Sequence, residues 1–162
     1  MLFTFQYDSP IGGLTLESNG LALTGLRFEM ENLDIEPGTR IDPVIEQTIR
    51  WLDRYFNGEA TGAVPPLGLD STPFRKVVWE TLLSIPYGET MSYGQVAGTV
   101  ARQLGVTRMS AQAVGSAVGH NPIAIIIPCH RVISSDGSIG GFSAGLDRKA
   151  WLLRREGIIV DH

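Results

Sequence analysis

The sequence of 162 residues contains a single cysteine, and this scarcity excludes several kinds of protein. One thiol cannot form an internal disulfide or supply a cysteine-rich zinc site, so we expect no bound metal. Long apolar runs are also missing, since no stretch reaches the roughly 20 residues that span a bilayer. A membrane is therefore not an expected partner.

The N-terminal residues lack the pattern of a secretory signal. Met1 to Asp8 contain no basic region followed by an apolar stretch, so a cytoplasmic location is expected. Hydrophobic residues make up 43% of the chain and charged residues 19%, which is typical of a globular protein. We expect this protein to be a monomer.

Charge is distributed unevenly, although the formal net charge is only −4. Residues 1–70 contain four basic and eleven acidic side chains, a balance of −7. Residues 71–162 contain nine basic and six acidic side chains, a balance of +3. Only the second part is suited to meet phosphate groups, because such contacts need a few well-placed cations.

Residues 1–70 predict a small domain with a linker at its end. The first thirty residues alternate between apolar and polar, as strands do, and Asn19-Gly20 predicts a two-residue hairpin loop. Asp42, followed by proline, predicts a helix start, and the helix should run to about Asn57. The glycine- and proline-rich segment Gly58–Asp70 predicts the linker.

Residues 71–162 predict a second, mainly helical domain. Thr72-Pro73 opens a first helix, and Ser92 with Gln95 has the form of a capping box that opens a second. A third helix should run from about Ser110 to Val118. This outline is typical of a helix-turn-helix DNA reader, although three packed helices without a DNA partner would give the same pattern.

The apolar run Ile123–Ile127 predicts a buried strand that leads directly to the cysteine. A last helix is predicted from Asp147 to Glu156. Cys129 alone could be an inert core residue, but His130 and Arg131 follow it, and neighbouring bases or cations activate a thiol. Glu156 is the candidate carboxylate to orient the imidazole of His130.

The segment Ile127-Pro128-Cys129-His130-Arg131-Val132 resembles the active-site signature of the O6-alkylguanine-DNA alkyltransferases. The resemblance extends in order over most of residues 72–157. It includes five further segments: Pro86-Tyr87-Gly88-Glu89 with Ser92-Tyr93, Ala113-Val114-Gly115, Asn121-Pro122, Gly141-Phe142-Ser143, and Trp151-Leu152-Leu153 leading to Glu156-Gly157.

This resemblance implies an α+β protein. Its small N-terminal domain, residues 1–70, would be a ribonuclease-H-like β-sheet domain ending in the linker. Residues 71–162 would form a helical, winged-helix-like catalytic domain that binds DNA. In relatives whose N-terminal half binds zinc, more than one cysteine is needed, so such a site is excluded here.

The implied activity is stoichiometric DNA repair. Cys129 would accept the alkyl group from O6-alkylguanine, and possibly from O4-alkylthymine, and remain alkylated. His130 would act as base through a water-linked chain that Glu156 orients. No cofactor is expected, because the lesion itself is the alkyl donor.

The implied partner is double-stranded DNA that contains alkylated bases. The damaged nucleotide would be flipped out from the minor groove, because its reacting atom is inaccessible within a duplex. Tyr93 would crowd the phosphate and protonate the leaving base, and Asn121 would tie the recognition helix to the active-site turn. Positions implied for base binding are Val132, Phe142 and Ser143, and those for DNA contact are Tyr93, Ser110, Ala111, Gln112, Ala113, Gly115 and Arg131.

Three positions depart from the family pattern. Ala144 replaces a glycine, and its extra methyl group is expected to disfavour bulky adducts such as benzyl. Gln112 stands where better-known members carry an arginine that fills the gap left by the flipped base, so base-flipping affinity is expected to be lower. Phe142 replaces the usual tyrosine and removes one hydroxyl from the pocket wall.

Two other functions compete with repair. One is a binding module that senses alkylated bases without repairing them, although relatives of that kind lack the cysteine. The other is a cysteine hydrolase with repeated turnover, for which a histidine directly after the cysteine is an unusual arrangement.

Overall fold

The structure, a computed structural model, describes residues 2–29 and 41–159. These residues form two compact units. The first unit runs up to Asp70 and includes Pro122–Ala124, and the second contains Ser71–Asn121 and the chain from Ile125 onward. None of the helices within the described ranges is long and apolar enough to cross a membrane.

The first unit is built on a three-stranded antiparallel sheet in the order β1-β2-β3. Its strands are β1 (Phe3–Ser9), β2 (Gly12–Ser18) and β3 (Leu23–Phe28). The predicted hairpin between β2 and β3 is present, but its loop has four residues, 19–22. The side chain of Asn19 stabilises this longer loop, because its Oδ1 accepts hydrogen bonds from the amides of Leu21 and Ala22. The two-residue loop prediction was therefore wrong.

The free edge of β3 is covered by two short segments from elsewhere in the first unit. Leu67 forms a parallel bridge with Leu23, so this part of the predicted linker is packed on the sheet. Ile123 forms a second parallel bridge with Leu26. Such cover removes an exposed strand edge that could otherwise pair with another chain.

The strand prediction for Ile123–Ile127 was wrong beyond its first residue. Ile123, Ile125, Ile126 and Ile127 are all buried, as the apolar run indicated, but the chain turns after the bridge at Ile123. The backbone of Ile125 adopts a φ of +69°, which no regular strand contains. Apolar composition predicted burial correctly but could not specify backbone conformation.

Helix α1 (Pro43–Phe56) packs on the sheet of the first unit and begins as predicted. The side chain of Asp42 accepts a hydrogen bond from the amide of Ile45 at 2.9 Å. Its second carboxylate oxygen accepts one from the Ser18 hydroxyl at 2.7 Å, so one buried residue caps the helix and attaches it to β2.

In the second unit, helices α2 (Pro73–Leu83), α3 (Tyr93–Leu104) and α4 (Ala111–Gly119) pack against one another. The capping box of Ser92 and Gln95 is confirmed. Trp79 fixes α2 to α4, because its indole Nε1 donates a hydrogen bond to the carbonyl of Ala117 at 2.9 Å. These three helices contain the segment that was predicted to form a helix-turn-helix.

The remaining elements of the second unit surround the cysteine. Strands β4 (Met91–Ser92) and β5 (Val132–Ile133) pair in parallel, and a 3-10 turn, Cys129–Arg131, precedes β5. Helix α5 (Leu146–Arg155) ends at Glu156, its C-cap residue. The expected fold class, a small N-terminal β-sheet domain followed by a helical domain, is confirmed.

Replacing Asp42 by alanine should destabilise the first unit. The variant loses a helix cap and leaves the buried hydroxyl of Ser18 without its acceptor, a combined cost of about 2 kcal/mol. Urea denaturation of the full chain measures the change. Asp42→Asn keeps an oxygen for the amide of Ile45 and should lose less, whereas equal stability of Asp42→Ala and the parent would contradict the assignment.

Candidate active site

The turn that presents Cys129 is shaped by two unusual residues. Ile125 adopts the left-handed conformation, which costs an L residue about 1–2 kcal/mol. Pro128 has φ −80° and ψ 64°, and the amide of Cys129 donates to the carbonyl of Ile127 at 2.7 Å. These values define an inverse γ-turn, which reverses the chain sharply just before the cysteine.

Asn121 fixes this turn from the end of α4. Its side-chain Nδ2 donates a hydrogen bond to the carbonyl of Ile127 at 2.7 Å, and its side chain also hydrogen-bonds to Cys129. The residue therefore connects the helix to the turn in the way that the sequence resemblance implies.

His130 and Glu156 form a fully buried pair. The distance from His130 Nε2 to Glu156 Oε2 is 2.6 Å. Burial acts to raise the pKa of Glu156, but the hydrogen bonds and charges of His130 and Arg131 outweigh it and lower this pKa to about 2. Burial also lowers the pKa of His130, against the opposing effect of Glu156.

These ionisation states define the histidine tautomer. An ionised carboxylate can only accept, so a neutral His130 must donate from Nε2 and keep its lone pair on Nδ1. Nδ1 has no hydrogen-bond partner among the described residues. The ring nitrogen opposite Glu156 is thus the one with the capacity to take a proton.

Arg131 does not occupy the position predicted for it. The prediction placed it in contact with DNA, but its side chain is nine-tenths buried and points into the second unit. Nε donates to Glu156 Oε1 at 2.7 Å, and Nη1 donates to the carbonyl of Ile85 at 2.7 Å. The position of Arg131 in the sequence signature could not indicate where its side chain points, because a 3-10 turn does not have the alternating side-chain directions of a strand.

The thiol of Cys129 experiences opposing effects. Burial raises its pKa, whereas the hydrogen bond from Asn121, the charge of Lys149 and the backbone amides of Cys129 and His130 lower it. All of these groups favour the thiolate over the neutral thiol. The turn is therefore built to stabilise an anion that its own burial disfavours.

Lys149 is a site residue that sequence reasoning missed. Its side chain is fully buried, and Nζ donates to the carbonyls of Val132 at 2.6 Å and Gly141 at 3.0 Å. Burial lowers its pKa to about 8, so the amine carries its charge at neutral pH. A lysine is normally exposed, and nothing in the sequence pattern of α5 marked this one as buried.

Cys129 lines a cavity of about 210 Å³ within the second unit. Four other predicted site residues line the same cavity: Tyr93, Gly115, Phe142 and Ser143. Val118, Gly119 and Gly141 complete the wall. Burial raises the pKa of the Tyr93 phenol, with a smaller contribution from Cys129, so this hydroxyl stays protonated at neutral pH. Val132 lies outside the wall, and its carbonyl accepts the hydrogen bond of Lys149.

Five of the seven positions predicted for DNA contact lie on α4 or cap it, whereas Tyr93 begins α3 and Arg131 lies in the 3-10 turn. Ser110 caps α4 by accepting from the amide of Ala113, and Ser110, Ala111 and Gln112 are exposed. Ala113 is half-buried, and Gly115 reaches the cavity wall one turn further along. The exposed end of α4 and the cavity are thus parts of one surface of the second unit.

The described residues contain no cluster of three or more histidine, cysteine, aspartate or glutamate side chains that could hold a metal ion. A cysteine that opens to a small cavity and is followed by a histidine paired with a buried carboxylate is typical of proteins whose thiol acts as a nucleophile.

Comparison with known proteins identifies the family. A model described as the 6-O-methylguanine DNA methyltransferase DNA-binding domain matches residues 73–158, and the model of its ribonuclease-like domain matches residues 2–64. The methylated-DNA–protein-cysteine methyltransferase of Mycobacterium bovis is 46% identical over 153 residues, which cover 92% of this chain and 88% of that protein. The chain belongs to the O6-methylguanine DNA methyltransferase family.

Solved structures agree with this assignment. Mycobacterium tuberculosis O6-methylguanine methyltransferase has a TM-score of 0.79 at 44% identity, with 96% of this chain and 93% of that chain covered. The structure of Mycobacterium tuberculosis OGT in complex with DNA has a TM-score of 0.80 at 44% identity, with coverages of 95% and 92%.

Replacing Lys149 by methionine should slow the reaction of Cys129 with iodoacetamide about tenfold at pH 7. The reason is that loss of a nearby cation raises the thiol pKa, and one unit corresponds to tenfold less thiolate. Lys149→Arg keeps the charge and is the matched control. The difference between parent and Lys149→Met should shrink above about pH 8, where Lys149 itself loses its proton, and equal rates at pH 7 would contradict the role.

Proposed function

We propose that this chain repairs double-stranded DNA by transferring the methyl group of O6-methylguanine to Sγ of Cys129. The reaction occurs once per chain, and O4-methylthymine is a second candidate substrate. One observation carries the proposal: Cys129 lines a cavity of about 210 Å³ and is followed in the chain by a histidine held by a buried carboxylate.

The chemistry begins with ionisation of the thiol. The proton of Cys129 passes to Nδ1 of His130, directly or over one water, while Glu156 stabilises the imidazolium through Nε2. The resulting thiolate is stabilised by the hydrogen bond from Asn121, the charge of Lys149 and the amides of the 3-10 turn. Each of these groups is in place before substrate arrives, so little reorganisation is needed.

The transfer step is a displacement at saturated carbon. A bond forms between Sγ of Cys129 and the methyl carbon while the bond from that carbon to O6 breaks. The electron pair of the broken bond stays on the base, which takes a proton from the hydroxyl of Tyr93 and leaves as guanine. The Tyr93 phenolate then recovers a proton from the imidazolium of His130 through solvent, which accounts for the proton first removed from Cys129. No group in the cavity wall regenerates the thioether to a thiol, so a second turnover is not expected.

Helix α4 is the proposed recognition helix. A Cβ added at Gly115 or Gly119 would meet no atom within 4 Å, so internal packing does not require glycine at either position. Glycine within a helix costs roughly 1 kcal/mol relative to alanine. Close approach of a partner from outside, such as the wall of a DNA groove, supplies the missing reason.

We also propose the cytoplasmic location expected from the sequence, which a DNA partner supports.

Incubation with a duplex that contains O6-methylguanine should raise the mass of the Cys129 peptide by one CH₂ group. Peptide mass spectrometry measures the shift, and the amount of repaired guanine should equal, and never exceed, the amount of protein. Cys129→Ser should bind the duplex but show no shift, and a duplex with unmodified guanine is the second control. Binding without a shift would instead support a damage sensor, and product in excess of protein would support a turnover enzyme.

Substituting arginine for Gln112 should strengthen binding to duplex DNA. The exposed position lies in the first turn of α4, and an added cation should steepen the dependence of log K on log salt concentration by about 1. Affinity measured over a salt series tests this, with Gln112→Met as the uncharged control. If the arginine and methionine variants bind alike at every salt concentration, Gln112 does not face the DNA.

A further inference from the structure

We propose that Arg131 is a positioning residue that holds the Glu156 carboxylate and limits the proton affinity of His130, and that the turn Ile85–Gly88 keeps Arg131 in place. The inference deepens the proposed function and rests on it. Arg131, which was predicted to contact DNA, then has a function in the interior of the second unit. The Pro86-Tyr87-Gly88 segment, which was noted only for its resemblance to the family, then has a structural function.

The first support is the way the carboxylate is shared. Glu156 Oε2 pairs with His130 at 2.6 Å, whereas Oε1 accepts from Arg131 Nε at 2.7 Å and from the amide of Gly88 at 3.1 Å. The two oxygens are therefore held by different partners. Because Oε1 accepts these two hydrogen bonds, the carboxylate is held in the orientation in which Oε2 is hydrogen-bonded to the imidazole of His130.

The second support is the cage around Arg131. Nη1 donates to the carbonyl of Ile85 at 2.7 Å, and the guanidinium carbon lies 5.8 Å from the centre of the Tyr87 ring. The Tyr87 hydroxyl donates to the carbonyl of Arg155 at 3.0 Å, which anchors the ring to the end of α5. The turn after α2 and the end of α5 therefore hold the guanidinium between them.

The electrostatic consequence concerns His130. Three other charged groups act on its ring: Glu156 at the end of α5, Lys149 within α5, and Arg131 in the 3-10 turn. Glu156 favours the protonated ring, whereas both cations disfavour it. Burial is the largest effect on the pKa of the ring and also disfavours protonation, so the two cations act in the same direction as burial and against Glu156. Arg131 offsets part of the carboxylate charge at the oxygen that His130 does not use.

A titration of the His130 ring tests this without DNA. In the full chain with Cys129→Ser, NMR of labelled histidine follows the protonation of each ring against pH. Arg131→Gln, which keeps a donor for Glu156 but removes the charge, should move the midpoint of His130 upward by about one pH unit. Arg131→Lys, which keeps the charge, should leave the midpoint near that of the parent.

One control makes the result specific. Arg108→Met removes an exposed positive charge elsewhere in the second unit and should leave His130 unaffected. An unshifted midpoint of His130 in folded Arg131→Gln would overturn the proposal, because a purely structural role changes stability and not this equilibrium.

A second variant covers the case in which Arg131→Gln does not fold. Tyr87 is exposed, so Tyr87→Leu should fold, yet it removes the ring beside the guanidinium; Tyr87→Phe keeps the ring. The midpoint should rise in Tyr87→Leu relative to Tyr87→Phe, and equal midpoints would reject the role of the turn. Because no step of the titration involves methyl transfer, failure of the proposed repair activity would be recognised separately in the mass experiment.

Discussion

The carboxylate of Glu156 is the group on which the rest of the active site depends. A buried carboxylate is costly unless it is paired and hydrogen-bonded, and this one receives an imidazole, a guanidinium and a backbone amide. Those three donors come from the 3-10 turn and from the turn after α2, while Glu156 itself ends α5. The contacts that orient the imidazole of His130 are therefore the same contacts that hold these three chain segments together.

Burial and reactivity oppose each other at Cys129: burial raises the pKa of the thiol, and fixed groups of the protein offset only part of that rise. The sulfur is largely withdrawn from solvent, which disfavours the thiolate, but a water-poor environment also strengthens each favourable interaction. Asn121 and Lys149 supply such interactions from α4 and α5. These preformed neighbours therefore reduce the cost that burial imposes on the thiolate.

The sequence predicted local structure best where a side chain acts on its own backbone. The caps of Asp42 and Ser92 and the approximate ends of the helices follow from short-range hydrogen bonds, and the structure contains them. It predicted least well where direction depends on distant segments. Arg131 turns inward because Glu156 and Ile85 receive it, and Lys149 is buried because two carbonyls do. No periodicity in one helix or turn encodes partners that lie in other segments of the chain, 8 to 46 residues away.

The residues that violate local rules lie around the cavity. Ile125 holds a left-handed conformation beside the active-site turn, Gly115 and Gly119 occupy helical positions that packing leaves unexplained, and Lys149 carries a charge without solvent contact. Each feature costs stability that an ordinary residue would not lose. Proteins commonly accept such costs at functional sites and compensate elsewhere. Here the compensation is visible in the hydrogen bonds of Asn121 and Lys149, which fix the turn and its flanking carbonyls, so the strained segment has one conformation in which its sulfur meets the cavity.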